Sequence, residues 1–166
     1  LTGKLRFTED DRASWYSHKS EIVKPHYYSV YLADHDITTE ITPTERAAMF
    51  RFTFPENENS HVVLDALDKG SYVKIIPSER KIIGYTTKNS GGVPENFKNY
   101  FVMVFDKDFE STKTFSGEQL LEGMEIETDH AGAIVSFKTK RGEVVIAKVA
   151  SSFIGYDQAE LNLKEL

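Results

Sequence analysis

An all-β fold, an antiparallel sandwich of many short strands, is what this sequence predicts, and three observations carry it. Apolar and polar residues alternate with period two in one run after another. Pro, Gly, Asn, Asp and Ser clusters separate those runs at short intervals. Helical periodicity is confined to the last dozen residues. A chain of 166 residues that is 40% hydrophobic and 12% aromatic can bury one sizeable core, which fits one domain better than two.

Leu1 to Ser14 is polar and irregular, with Thr8-Glu9-Asp10-Asp11-Arg12 suited to one short helical turn, and reads as a surface arm. The stretch from Trp15 to Leu32 organises the rest of the chain. It joins a segment bearing histidine and carboxylate to a strand with Tyr28, Val30 and Leu32 on one face and Tyr27, Ser29 and Tyr31 on the other. Pro25 fixes its own φ and biases Lys24 towards extended geometry, so the chain enters that strand from a fixed corner. Asp34-His35-Asp36 breaks the strand, and Ile37, Thr39 and Ile41 then alternate with polar residues as a hairpin partner. After Pro43, the residues Ala48, Phe50, Phe52 and Phe54 line one face of the next strand. Pro55 and Glu56-Asn57-Glu58-Asn59 read as a loop, and His61 to Leu67 as a more central strand interrupted only by Asp65.

Ser71 to Ile76 and Lys81 to Thr87 flank Pro77-Ser78-Glu79-Arg80 as a second hairpin. Asn89 to Pro94 is a flexible loop. Tyr100 to Phe105, apolar on both faces, belongs deep in the core. Ser116 to Gly123 reads as one helical turn closed by glycine. Ile134 to Lys138 and Glu143 to Ser151 read as a last hairpin around Lys140-Arg141-Gly142. The expected core includes Phe50, Phe52, Leu64, Phe101, Met103 and Val145. In the tail, Asp157 with Glu160 has capping-box spacing, and Ala159, Leu163 and Leu166 form an apolar helical stripe. Such a stripe needs a cover, and a domain beyond this chain is the expected one.

Composition excludes several function classes. Twenty Lys and Arg against 26 Asp and Glu give net charge −6, which disfavours a surface that neutralises phosphates, so no nucleic-acid partner is expected. No apolar run approaches the roughly 20 residues of a membrane span. A signal peptide, if the parent has one, lies upstream of Leu1. The absence of cysteine removes disulfides, cysteine nucleophiles and thiolate metal sites. Phosphate-binding loops, dinucleotide fingerprints and serine-nucleophile elbows are also absent.

Several separated pieces of the chain resemble one known family. Ser17-His18-Lys19, Glu21, Pro25 and Tyr27-Tyr28-Ser29-Val30-Tyr31-Leu32 are followed by Thr44-Glu45-Arg46 and Phe52-Thr53-Phe54-Pro55. Gly84-Tyr85, Tyr100-Phe101, Ser152-Phe153 and Gln158-Ala159 continue the pattern to the end. In order and spacing these are similar to the N-terminal domain of the glycoside hydrolase family 92 α-mannosidases. The resemblance implies a supersandwich-like β domain over residues 1–154, lacking the earliest segments of the family, and over residues 155–166 the start of a linker helix to a catalytic domain not in this sequence. It also implies a parent enzyme that hydrolyses α-linked mannose of glycans with inversion and calcium, held mainly by the catalytic domain. A periplasmic or extracellular location follows from the same resemblance.

The residues themselves show no active site. Glycoside hydrolysis generally needs two placed carboxylates. Glu21, Glu45 and Asp65 fall in matched segments, yet the resemblance puts acid and base in the missing domain, so no catalytic residue is assigned. Asp34-His35-Asp36 and Asp106-Lys107-Asp108 with Glu110 do not complete a calcium loop, and His18, His26, His35, His61 and His130 lack zinc-hydrolase spacing, so no metal ligand or cofactor is assigned to this chain. Trp15, His18 and Glu21 are the candidates for substrate binding or for a domain interface, the tryptophan as a stacking face and the pair as one titratable polar surface. The plainer reading of His18 and Glu21 is a local brace before the Tyr27 strand. Two other functions fit a sandwich: an autonomous carbohydrate-binding module with a platform drawn from Tyr27, Tyr31, Tyr72, Tyr85 and Tyr100, and an adhesion module without a sugar site.

Overall fold

Two antiparallel sheets of unequal width face each other in the computed structural model, which describes residues 1–166. The wide sheet has nine strands, β1 (Ile22–Lys24), β2 (Tyr27–Leu32), β3 (Ile37–Pro43), β4 (Ala47–Phe54), β6 (Ser71–Ile76), β7 (Lys81–Thr86), β8 (Asn99–Phe105), β11 (Glu125–Thr128) and β13 (Glu143–Ser152). Their order is β1-β2-β3-β4-β13-β8-β7-β6-β11. The narrow sheet has four, β5 (Asn57–Asp65), β9 (Ser111–Ser116), β10 (Gln119–Leu121) and β12 (Ala131–Thr139), in the order β10-β9-β12-β5. The chain is an antiparallel β-sandwich with one short terminal helix, α1 (Tyr156–Asn162).

Alternation decides which face each strand buries. Ile37, Phe54, Val62, Val73, Ile75, Ile82, Phe105, Val135 and Phe137 meet between the sheets, joined by the expected core residues Met103 and Val145. Phe50, Phe52, Leu64 and Phe101 are only partly buried and pack against that core from its margin. For Phe50, Phe52 and Leu64 the reason is the narrow sheet's width: it ends at β5 and leaves the inner face of β3 and β4 under a thinner cover.

Several local expectations change. Glu56 to Asn59 is not a loop, because β5 begins at Asn57 directly after a tight turn. Pro25 and His26 form the turn of a β1–β2 hairpin in which Lys24 opposes Tyr27. The helical turn expected over Ser116 to Gly123 is instead the β9–β10 hairpin. Gly117 sits at φ +56° in its turn, the left-handed geometry that tight hairpins favour. Lys140-Arg141-Gly142 is not a hairpin turn but a corner between sheets. Strand β12 is flanked by β5 and β9, and β13 by β4 and β8, so neither has a free edge for the other.

Both ends of the chain are tied down. The arm is not merely superficial: Thr2 bridges Ser60, and the Phe7 ring lies 5.1 Å from that of Phe115. At the other end Gly155, not Asp157, occupies the N-cap position. Helix α1 packs on β13 and β8 and buries Ala159 completely, while the Asn162 amide donates to the Ser151 carbonyl at 2.8 Å. Leu163 and Leu166 are partly covered. The apolar stripe is thus seated at least in part on this chain's own sheet.

Candidate functional site

A single turn of 3-10 helix, His18–Ser20, brings the candidate polar pair together. Ser17 caps it, its hydroxyl accepting the Lys19 N–H at 3.3 Å, and the Ser20 hydroxyl donates back to the Ser17 carbonyl at 2.8 Å. The turn brings His18 against Glu21, with Nδ1 2.5 Å from Oε2. The other carboxylate oxygen accepts the Tyr28 hydroxyl at 2.5 Å. The Tyr28 bond, then the His18 bond, hold Glu21 below the usual carboxylate range, and the carboxylate in return pushes the Tyr28 hydroxyl up to about 12. Glu21 is therefore an ionised acceptor across the neutral range, the wrong state for a general acid. His18 is the open half of the pair, its side chain 85% exposed against 15% for Glu21.

Trp15 is held through its backbone alone. Its N–H donates to Asp34 Oδ2 at 2.6 Å and its carbonyl accepts the Ala33 N–H at 2.9 Å, which leaves the indole 68% exposed. The Tyr16 ring stands edge-on to His18 with centroids 5.4 Å apart. Ile22 and Val23 of the edge strand β1 are also exposed, so an apolar border lies in sequence on both sides of the His18–Glu21 pair. All three candidates thus belong to one edge of the wide sheet, where an aromatic face and a polar pair are offered outward.

Other carboxylates do not join them. Asp65, on β5, receives Arg12 Nη2 at 2.7 Å and lies 2.7 Å from His130 Nε2. Burial opposes its charge, yet Arg12, the Leu67 N–H and His130 outweigh that and leave its carboxyl below the ordinary range. Two of this trio, Asp65 and His130, border a polar cleft of about 300 Å³ beside Phe7, Glu9, Asp10 and Glu118. Sequence reasoning missed it because its members come from three distant segments. Glu45 lies exposed in the β3–β4 turn. Asp34, His35 and Asp36 also diverge: Asp34 holds Trp15, Asp36 accepts the Tyr31 hydroxyl at 2.8 Å, and His35 is buried. No group of three or more His, Asp or Glu side chains converges as a metal site.

Three of the five tyrosines named for a sugar platform are engaged with one another, while Tyr27 and Tyr31 donate their hydroxyls to Glu40 and Asp36. Tyr72 stacks on Tyr85 at 5.6 Å, Tyr85 meets Tyr100 at 5.9 Å, and Tyr100 meets Tyr156 at 5.0 Å. The Lys98 ammonium lies 3.8 Å above the Tyr85 ring, and Glu125 and Glu127 accept the Tyr72 and Tyr85 hydroxyls. Tyr85, buried between Tyr72, Tyr100 and Lys98, offers no open stacking face, which corrects the expectation for that residue.

Residues 1–152 match the glycosyl hydrolase family 92 N-terminal domain. The chain belongs to that family. An inverting family 92 mannosidase from Bacteroides thetaiotaomicron is 36% identical, superposes with a TM-score of 0.94, and is matched over 99% of this chain and 22% of its own. A second family 92 α-mannosidase of that organism, also solved with mannoimidazole, is 31% identical with a TM-score of 0.87 over 99% of this chain and 25% of its own. A secreted glycosidase of Arthroderma benhamiae is 39% identical over 54 residues, 32% of this chain and 7% of its length. This family 92 domain thus spans about a quarter or less of each relative. None of its helices is long and apolar enough to cross a membrane.

Proposed function

We propose that this family 92 domain, with residues 1–154 as the sandwich and 155–166 as the start of a linker helix, is the non-catalytic N-terminal part of a longer exo-acting α-mannosidase. One observation carries the reading: 99% of the chain superposes on less than a third of two family 92 mannosidases, while its own matched carboxylate Glu21 is locked as an ionised acceptor. In this reading the domain braces the catalytic part, and Trp15, His18 and Glu21 border the sugar pocket at the domain interface, a common position for ligand sites.

The parent enzyme acts on α-mannosides of glycans by a single displacement, its acid and base far enough apart to admit water. Calcium, the cofactor of the parent, would polarise sugar hydroxyls. In this reading the catalytic part, rather than this domain, supplies most of its oxygen ligands. A periplasmic or extracellular location is supported by the secreted Arthroderma relative.

The test compares residues 1–166 with the longer parent on an aryl α-mannoside in the presence of calcium. The parent releases the aryl group and the domain alone does not. Activity of the domain that survives repurification and is lost in Glu21→Gln would place the chemistry here and overturn the assignment. His18→Ala and Glu21→Ala, made in both proteins, separate an interface from a local brace. A loss confined to parent kinetics marks the interface, and equal loss of thermal stability in both marks the brace.

A further inference from the structure

Strand β5 is the edge of the narrow sheet, and Leu1 to Gly3 already lie along part of it as a short antiparallel strand. Leu1 and His61 exchange both backbone bonds at 2.8 Å, Thr2 is bridged to Ser60, and the Gly3 N–H donates to the Asn59 carbonyl at 2.8 Å. Backbone groups two residues apart on a strand point the same way, so the N–H and C=O of Val63 face the same edge as those of His61. The three-residue strand stops short of them. Just beyond it opens an apolar groove of about 410 Å³ between the sheets, lined by Leu32, Thr39, Phe50, Phe52, Leu64 and Val149 among others.

We infer that the stretch of the longer polypeptide immediately before Leu1 continues this strand along β5 and roofs the groove. The inference rests on the reading of the domain as part of a longer enzyme, whose relatives carry at least three times as much chain again. Register follows from the Thr2–Ser60 bridge. The residue just before Leu1 opposes Val62, the second opposes Val63, and the third opposes Leu64. Val62 and Leu64 point into the core, so the first and third upstream residues face Phe50 and Phe52, and the second faces away. One further feature fits a continuing chain. An uncovered edge beside exposed apolar surface is a standing template for strand addition, and a strand from the same polypeptide has the highest effective concentration.

The test compares residues 1–166 with the same protein carrying its ten natural upstream residues. The extended protein should show Val63 amide exchange slowed by roughly ten-fold or more, since pairing protects edge amides. It should also lose most of its binding of an apolar fluorescent dye. Aspartate placed at the first and third upstream positions should restore both, and aspartate at the second should restore neither. Unchanged Val63 exchange in a folded extended protein would overturn the inference, as would aspartates that act alike at all three positions. Protection of Val63 that rises with protein concentration and is indifferent to the extension would assign the groove to a second copy instead. Mannosidase activity of the parent is read separately, so a groove that closes in an inactive parent sinks the enzyme reading alone. One that stays open in an active parent sinks this inference alone.

Discussion

Replacing Gly132 by alanine tests how the arm that leads to Trp15 is seated. Gly132 lies in β12 opposite Phe115 of β9, and a Cβ there would fall 1.9, 2.2 and 2.6 Å from three carbons of the Phe115 ring. Ordinary carbon contacts are about 3.5–4.0 Å, so the ring must retreat by roughly 1.5–2 Å. It has little room to do so, being 1% exposed and packed against Phe7 and His130. Overpacking of this kind costs about 1–3 kcal/mol, and expelling the ring altogether costs about 3–5 kcal/mol. Loss of glycine's freedom in the unfolded chain returns about 0.4–1 kcal/mol. With the ring expelled, the net destabilisation is about 2–4 kcal/mol, which lowers Tm by roughly 4–16 °C in a domain of this size. Thermal melts and urea titrations read the change, with Gly123→Ala as the control, since its new Cβ would meet only ordinary contacts from 3.5 Å outwards. Phe115→Leu should relieve part of the strain, so the double variant is less destabilised than the two singles added together. A Gly132→Ala protein that melts within about 1 °C of the parent, or strictly additive variants, would refute the reasoning.

Stability should fall as pH drops from about 7 towards 5, because burial lowers the folded-state pKa values of His61 and His35. The unfolded chain takes up protons below about 6.5 while the folded one resists, and urea titrations across that range should show a slope that His61→Gln reduces. Asp65→Asn, which leaves Arg12 short of its ionised partner, should cost about 1–3 kcal/mol by thermal melt. The depressed Asp65 carboxyl adds its own loss only in stronger acid, as pH falls through its folded pKa below the unfolded value of about 3.9. Lys138→Ala, which breaks an exposed pair with Glu58, should leave the melt unchanged.

Legibility in the sequence followed local content. The β2–β3 and β6–β7 hairpins were visible because strand and turn signals are adjacent, and β8 because its apolar run is continuous. Strands β9, β10 and β11 were not, since Ser-Thr-Lys-Thr-Phe-Ser, Gln-Leu-Leu and Glu-Ile-Glu-Thr are short and bury few apolar side chains. Their strand character comes from the neighbours they pair with, a tertiary effect that periodicity does not carry. The misassigned β12–β13 hairpin has the same cause. Its turn residues suit a hairpin, and only competition from β4, β5, β8 and β9 for the four available edges sends the two strands to different sheets.

The candidate site divides along the same line. Trp15, His18 and Glu21 were legible because they sit within seven residues, and one turn of 3-10 helix suffices to assemble the pair. What could not be read was the third partner, Tyr28, which reaches Glu21 only because β1 folds back on β2. That partner changes the chemistry. A carboxylate that accepts a tyrosine hydroxyl as well as facing a histidine is held ionised and oriented, and the His18 side chain is the exposed half of the pair. Tyr28 and Glu21 thus hold the position of His18, while the Trp15 ring is positioned separately, through the backbone bonds to Ala33 and Asp34.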